Sequence, residues 1–157
     1  MATAVRLLVS VAIPLAVGGL SGITTASGVQ DWYPSLVKPA FNPPAWVFGP
    51  VWTLLYVMMG VAAFLVWQRG LKDGAVRPAL IVFSVQLLLN GLWSLFFFGL
   101  KSPGLAFAEI LLLWLLIGTT VYLFWRVRPA AGVILLPYAA WVSFAAILNG
   151  FIWVLNR

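Results

Sequence analysis

The chain of 157 residues is 64% hydrophobic and only 8% charged, and its mean hydropathy is +1.08. Soluble domains carry about a quarter charged residues, so this composition excludes a water-soluble surface and indicates a protein embedded in lipid. The net charge is +6, and the chain has neither cysteine nor histidine. Disulfides and thiolate ligands are therefore excluded, and metal sites and proton shuttles lose their commonest residue.

Five apolar stretches each reach the roughly 20 residues that a helix needs to cross a bilayer core of about 30 Å. These runs are continuous, whereas the strands of a membrane barrel alternate in polarity, and lipid requires each backbone to satisfy its own hydrogen bonds. We therefore predict an all-α polytopic membrane protein, a bundle of five transmembrane helices that forms one domain over residues 1–157. The predicted spans are residues 5–26, 46–67, 78–99, 105–125 and 132–155.

The first stretch also resembles a secretory signal, because Arg6 precedes an apolar run and small residues follow at 25–27. The run is longer than a usual signal core, which favours a helix that stays in the membrane, with cleavage as the alternative. Gly18 and Gly22 form a small-residue pair that permits close helix approach, either in a homodimer or within one bundle.

The connection at residues 27–45 is the only long one. Its four prolines oppose a regular helix, yet it is too rich in apolar side chains for a disordered linker. A long loop of this kind is expected to fold back over the mouth of the bundle as a lid. The lid residues that we single out are Trp32, Tyr33, Lys38, Pro43 and Pro44.

Basic residues fall unequally on the two sides of this five-span arrangement. Six lie on the side of the N-terminus and three on the other, which favours a cytoplasmic N-terminus by the positive-inside tendency. The six are Arg6, Arg69, Lys72, Arg77, Arg126 and Arg128; the three are Lys38, Lys101 and Arg157.

Three predicted helices each carry an aromatic and amide stripe at helical spacing. Such polar groups inside a membrane face either a partner helix or a cavity. Amides that join helices and aromatics that fill a core are the alternative to a ligand pocket, although a packed core needs no lid. The stripes are Trp52, Tyr56 and Met59; Gln86, Asn90, Trp93 and Phe97; and Tyr138, Trp141, Ala145 and Asn149.

The remaining tryptophans fit simpler interpretations. Trp67, Trp125 and Trp153 lie near helix ends, as in an interfacial aromatic belt. Trp114 is mid-span without a polar neighbour on its face, which indicates a lipid-facing or packing role.

Glu109 is the only acid inside a predicted span. It either pairs with Lys101 or another loop cation, or takes part in proton or ligand handling. Catalytic triads, paired carboxylates and phosphate loops do not occur, so enzyme chemistry would have to depend on a cofactor, light or oxidisable tryptophans.

Short motifs in chain order resemble the translocator protein family, also called tryptophan-rich sensory proteins or peripheral-type benzodiazepine receptors. Together they cover essentially the whole chain, and Glu109 stands where the family places an acid. The motifs are Trp32-Tyr33-x-x-Leu36-x-Lys38-Pro39-x-x-x-Pro43-Pro44, Trp52-x-x-x-Tyr56, Gln86-x-x-x-Asn90-x-x-Trp93, Phe97-Phe98-Gly99, Pro137-Tyr138-x-x-Trp141 and Leu148-Asn149-x-x-x-Trp153.

The resemblance implies a five-helix bundle, often a homodimer, with a pocket beneath the first loop. It implies binding of porphyrins such as protoporphyrin IX and haem, of synthetic aromatic ligands and, in animals, of cholesterol. No cofactor or metal is implied. Carried over by residue, the ligand site comprises Trp52, Tyr56, Gln86, Asn90, Trp93, Tyr138, Trp141 and Ala145.

Three functions remain open: a binding or sensory protein for porphyrins, which we rank first, a light-dependent porphyrin-degrading enzyme that uses Trp52 and Trp141, and a transporter of tetrapyrroles or sterols. Residues 149–154 lack the tyrosine and basic residue of the animal sterol segment. Phe41 and Leu105 also replace aromatic residues seen in other members. The short tail leads us to expect a multi-pass protein of a prokaryotic cell membrane.

Overall fold

The computed structural model describes residues 3–157, which are almost entirely helical. The fifth membrane span consists of two helices, a short first segment and a longer second one. The predicted all-α class and the five membrane-spanning helices are confirmed. The helices are α1 (Thr3–Asp31), α2 (Ala45–Trp67), α3 (Val76–Ser94), α4 (Pro103–Val127), α5 (Pro129–Ile134) and α6 (Leu136–Leu155).

Contacts between the helices close a ring. Helix α1 packs against α2 and α3, α3 packs against α4, and α4 packs against both α5 and α6. Helix α2 completes the ring mainly through α5 and makes few contacts with α6. The bundle is therefore closed at the α5 end, whereas α2 and α6 stand apart at the other end.

The first helix is longer than predicted, because it continues to Asp31 instead of ending at residue 26. The first proline after it is Pro34, and a proline disfavours helix only for itself and the residue before it. Gly28 lies against Phe98, where a Cβ atom would come within 2.8 Å of the ring side chain. The first loop is consequently shorter than expected and comprises residues 32–44.

The fifth span is divided close to Pro137. Helix α5 ends at Ile134 and α6 begins at Leu136, with Pro137 in its first turn, where its missing N–H leaves no helical bond unmade. Between the two helices, the Leu135 amide donates to the Gly132 carbonyl three residues earlier, at 3.1 Å. This offset directs α5 against α2 and leaves α6 to face the wider end.

A π-helical turn, Leu95–Gly99, follows α3. Its widened geometry is visible in the bond from the Leu100 amide to the Leu95 carbonyl, 2.7 Å long. The turn buries both Phe97 and Phe98, which pack 4.8 Å apart by ring centroid. A second apolar cluster therefore forms beside the first loop, separate from the main core.

Candidate ligand-binding cavity

A cavity of about 590 Å³ lies at the wide end of the bundle. Its size falls within the range of about 300 to 1,000 Å³ that is usual for small-molecule pockets. Helices α1, α2, α3, α4 and α6 all contribute to its wall, and none of the described residues that line it is charged. The cavity is therefore suited to a bulky, largely apolar molecule.

Six of the eight predicted site residues border this cavity. They come from three helices that are distant in sequence, which the stripe spacing had predicted to face one another. The six are Trp52, Tyr56, Asn90, Trp93, Trp141 and Ala145.

The other two, Gln86 and Tyr138, do not border the cavity but lie behind its wall. Both are 1% exposed. Each shares a helix face with a lining residue, and spacing alone cannot show how far along that face the cavity extends. Their predicted direct contact with a ligand is therefore not supported by the geometry.

A chain of hydrogen bonds connects these two residues to the cavity. The Tyr56 hydroxyl donates to Asn90 Oδ1 at 2.5 Å, and Asn90 Nδ2 donates to the Tyr138 hydroxyl at 3.0 Å. The Tyr138 hydroxyl then donates to Gln86 Oε1 at 2.8 Å. Because unsatisfied polar groups are expensive in lipid, this chain joins α2, α3 and α6 and holds the Asn90 amide in one orientation.

A second polar link fixes another part of the wall. Trp93 Nε1 donates to Asn149 Oδ1 at 3.0 Å, and Asn149 Nδ2 donates to the Pro103 carbonyl at 2.8 Å. The Trp93 ring also stacks on Phe97, with centroids 5.0 Å apart. The indole is held on both sides and presents a fixed surface.

Trp141 differs from Trp93 because its indole N–H is buried and has no hydrogen-bond partner among the described residues. The ring packs against Phe48 and Phe144 at centroid distances of 6.0 and 5.5 Å. A buried donor without an acceptor costs about 1–3 kcal/mol. The Trp141 ring therefore lines the cavity, while its buried N–H leaves an unsatisfied donor in that part of the wall.

The contribution of α1 to the cavity wall was not predicted from the sequence. This helix lines the cavity with small and hydroxyl residues, several of them at helical spacing. The spacing was the available signal, but only Gly18 and Gly22 were interpreted, and only for packing. A Cβ atom on Gly18 would run into the Tyr56 ring, so that glycine serves packing within the bundle, whereas no atom lies within 4 Å of a Cβ on Gly22. The lining residues on α1 are Leu15, Gly18, Gly19, Ser21, Gly22, Thr25, Ala26, Val29 and Gln30.

Within the first loop only Tyr33 lines the cavity; Trp32, Lys38, Pro43 and Pro44 do not. The Tyr33 hydroxyl donates to Asn42 Oδ1 at 2.6 Å. Burial raises the pKa of Tyr33, and the bond to Asn42 lowers it by less. The hydroxyl therefore remains protonated, and this donor bond persists, at any ordinary pH.

Glu109 does not form the predicted pair with Lys101. The residue is 7% exposed, and neither carboxyl oxygen has a hydrogen-bond partner among the described residues. Helix α4 turns this side chain into the bundle, while Ile110 and Leu113 of the same helix line the cavity. Its role in proton or ligand handling stays a prediction.

Three tryptophans outside the cavity contact cations or a neighbouring helix. Arg6 lies over the Trp67 ring at 5.7 Å, and Arg157 lies over the Trp153 ring at 4.1 Å. Trp114 is 46% exposed, as expected for a lipid-facing residue, but its Nε1 donates to Ser143 Oγ at 2.7 Å. That partner is on α6, so a search along α4 alone could not find it.

The helices and the cavity together define a polytopic membrane protein that encloses an uncharged, aromatic-walled space within its bundle. Sequence comparison gives the family. The chain belongs to the TspO/MBR family, whose model matches residues 10–154.

Named relatives agree with this assignment. The chain is 43% identical over 150 residues to the "Tryptophan-rich protein TspO" of Chlorobaculum tepidum, which covers 96% of this chain and 95% of that protein. It is 40% identical to the protein of the same name from Archaeoglobus fulgidus, over 96% of this chain and 97% of the relative. It is also 40% identical to the human "Translocator protein", over 78% of this chain and 73% of the relative. The family resemblance read from the sequence is confirmed, and the protein is an integral, multi-pass membrane protein.

Proposed function

We propose that this protein is a membrane binding or sensory protein for porphyrins and related flat, hydrophobic aromatic ligands. The observation that carries the proposal is the uncharged, aromatic wall of the cavity. Indole and phenol faces favour stacking on an extended π-system.

The distribution of charge supports one orientation of such a ligand. The described lining residues are uncharged, so porphyrin carboxylates would be poorly solvated deep in the cavity. Lys38, the one cation of the first loop, lies with its Nζ 4.8 Å from the ring centroid of Tyr33, which is a lining residue. The propionates are therefore expected at the loop end, with the macrocycle against the tryptophans.

Titration with protoporphyrin IX in detergent or nanodiscs, followed by quenching of tryptophan fluorescence, tests the proposal. The Trp141→Phe variant replaces the indole with a smaller ring and so reduces the aromatic surface of the wall, and we expect an affinity up to about tenfold lower. The matched control is Trp114→Phe, because Trp114 does not line the cavity and its N–H already has a partner. Equal affinities in Trp141→Phe and the unmodified protein, or equal losses in both variants, would contradict the assigned site.

A further inference from the structure

The first loop crosses the wide end of the bundle between α1 and α2 and contacts α6 on the way. Its Phe41 packs edge-on against Phe151 and Phe144 of α6, with centroids 5.3 and 6.3 Å apart. Its Tyr33 lines the cavity. The first loop therefore connects α1, α2 and α6, three helices that border the cavity.

Hydrogen bonds inside the loop make it a compact unit. Lys38 Nζ donates to the carbonyls of Tyr33 and Leu36 at 2.7 and 2.8 Å. The Tyr33 hydroxyl is bonded to Asn42, and the Asn42 amide donates to the Pro39 carbonyl at 3.0 Å. Because these bonds join loop atoms to each other, they survive a movement of the loop as a whole.

The bonds from the loop to α6 have a different character. The Val37 amide donates to Asn156 Oδ1, and Asn156 Nδ2 donates back to the Val37 carbonyl, both at 2.9 Å. Among the described residues, Asn156 alone joins the loop to α6 by hydrogen bonds. The same Nδ2 donates to the Ile152 carbonyl at 2.8 Å, which holds the side chain in place at the end of the helix.

This pair of bonds is placed where it can open. Val37 is 56% exposed, and Asn156 is exposed too. Water at the end of the bundle therefore competes for both bonds, and exposed links of this kind break at low cost in free energy. The bonds inside the loop are partly buried and are expected to open less often.

We propose that the Asn156 amide is a latch on the first loop, a positioning residue that sets how often the cavity opens for ligand exchange. The proposal rests on the proposed binding function, since it names what regulates that site. With the latch closed, Tyr33 stays in the cavity wall. With the latch open, the loop moves as a unit away from α6 and withdraws that ring.

Two variants remove the latch from opposite sides. Asn156→Ala removes both bonds. Val37→Pro removes the loop-side donor, and the preceding Leu36 has φ −76° and ψ 142°, a conformation that a following proline favours. Arg157→Ala is the matched control, since that side chain lies over Trp153 at the same helix end.

Stopped-flow quenching with protoporphyrin IX measures the effect. Opening the latch raises the population of the open state in both free and loaded protein. The association and the dissociation rate constants of protoporphyrin IX are therefore both expected to rise by about tenfold for the loss of one to two exposed hydrogen bonds. Because both rise together, Kd is expected to stay within about threefold. The double variant is expected to match the faster single variant, because both changes break one link. Unchanged rates in Asn156→Ala, or a weaker Kd without faster association, would overturn the latch.

Hydrogen exchange separates failure of the latch from failure of the proposed function. A peptide covering residues 32–44 is expected to exchange faster in Asn156→Ala and Val37→Pro than in the unmodified protein or in Arg157→Ala. This readout needs no ligand. If protoporphyrin IX does not bind at all, the proposed ligand is wrong, yet faster exchange still supports the latch and unchanged exchange overturns it.

Discussion

The two ends of the bundle share helices α1 to α4 but are packed in opposite ways. At the closed end, small and branched residues leave no room, and several of them have no exposed surface, including Ala62, Val66, Val76, Ala79 and Ala131. At the wide end, the same helices carry large rings that meet at their edges and enclose the cavity.

Glycines show how this difference arises. Gly60 of α2 lies against the backbone of α1, where a Cβ atom would approach Val11 Cα at 2.5 Å and the Ser10 carbonyl oxygen at 2.7 Å. Gly22 and Gly49 line the cavity and have no atom within 4 Å of a built Cβ. Helices α1 and α2 therefore touch at one end and diverge toward the other. Large side chains alone do not fill a bundle, because the spacing of the backbones decides whether rings pack or enclose space.

The largest effect on stability is expected from adding a methyl group where α1 and α2 are in backbone contact. Gly60→Ala places a methyl group against backbone atoms that cannot rotate away, so we expect a loss of about 2 kcal/mol in the free energy of unfolding. Gly118→Ala is the matched control, because Gly118 lies in α4 with open space around it, and its replacement is expected to gain up to about 1 kcal/mol in helix propensity. Thermal unfolding in detergent measures both. Similar unfolding midpoints in Gly60→Ala and Gly118→Ala would show that α1 and α2 can move apart at the closed end without loss of stability.

A smaller effect, confined to binding, is expected from filling the wide end. Ala145→Phe directs a ring into the cavity, so protoporphyrin IX affinity should fall at least about tenfold while the unfolding midpoint stays within a few degrees. The space is already present, and no backbone has to move. Ala140→Phe is the control, since Ala140 is exposed on the same helix and does not line the cavity. A large loss of stability in Ala145→Phe would indicate that this end is packed and not hollow.

The sequence predicted most of this arrangement for identifiable reasons. Apolar length determined the five spans, and spacing placed Trp52, Asn90 and Trp141 on inward faces. Spacing gives direction around a helix but not distance from a cavity, so it could not separate Tyr138 from Tyr56. The helical spacing of the small and hydroxyl residues of α1 was present in the sequence, but the same spacing is typical of close helix packing, so it did not by itself place α1 in the cavity wall.

The link of Asn156 to Val37 depends on contacts 119 positions apart along the chain. Nothing in the local sequence around Asn156 pairs this residue with the backbone of the first loop. The length of α1 was underestimated for a related reason. Its last turns are stabilised by packing of Gly28 against Phe98, which the π-helical turn after α3 brings into place.

The smallest effects are expected from two tyrosine variants, which compare a residue that lines the cavity with a residue that lies behind its wall. Tyr56→Phe removes one bond of the chain, to Asn90, at a residue that lines the cavity. Tyr138→Phe removes two bonds, to Asn90 and Gln86, at a residue that does not. We therefore expect Tyr138→Phe to cost about 1 kcal/mol of stability and Tyr56→Phe about half of that, the range measured for hydrogen bonds inside membranes.

Binding should follow the opposite order. Tyr56→Phe is expected to change protoporphyrin IX affinity by about threefold, because Tyr56 lines the cavity and the Asn90 oxygen loses its donor. Tyr138→Phe is expected to leave affinity within about twofold, since Asn90 keeps its bond to Tyr56. If Tyr138→Phe weakens binding more than Tyr56→Phe, the ligand reaches behind the wall. Tyr138 would then contact the ligand directly, and the hydrogen-bond chain from Tyr56 to Gln86 would belong to the binding site instead of only supporting its wall.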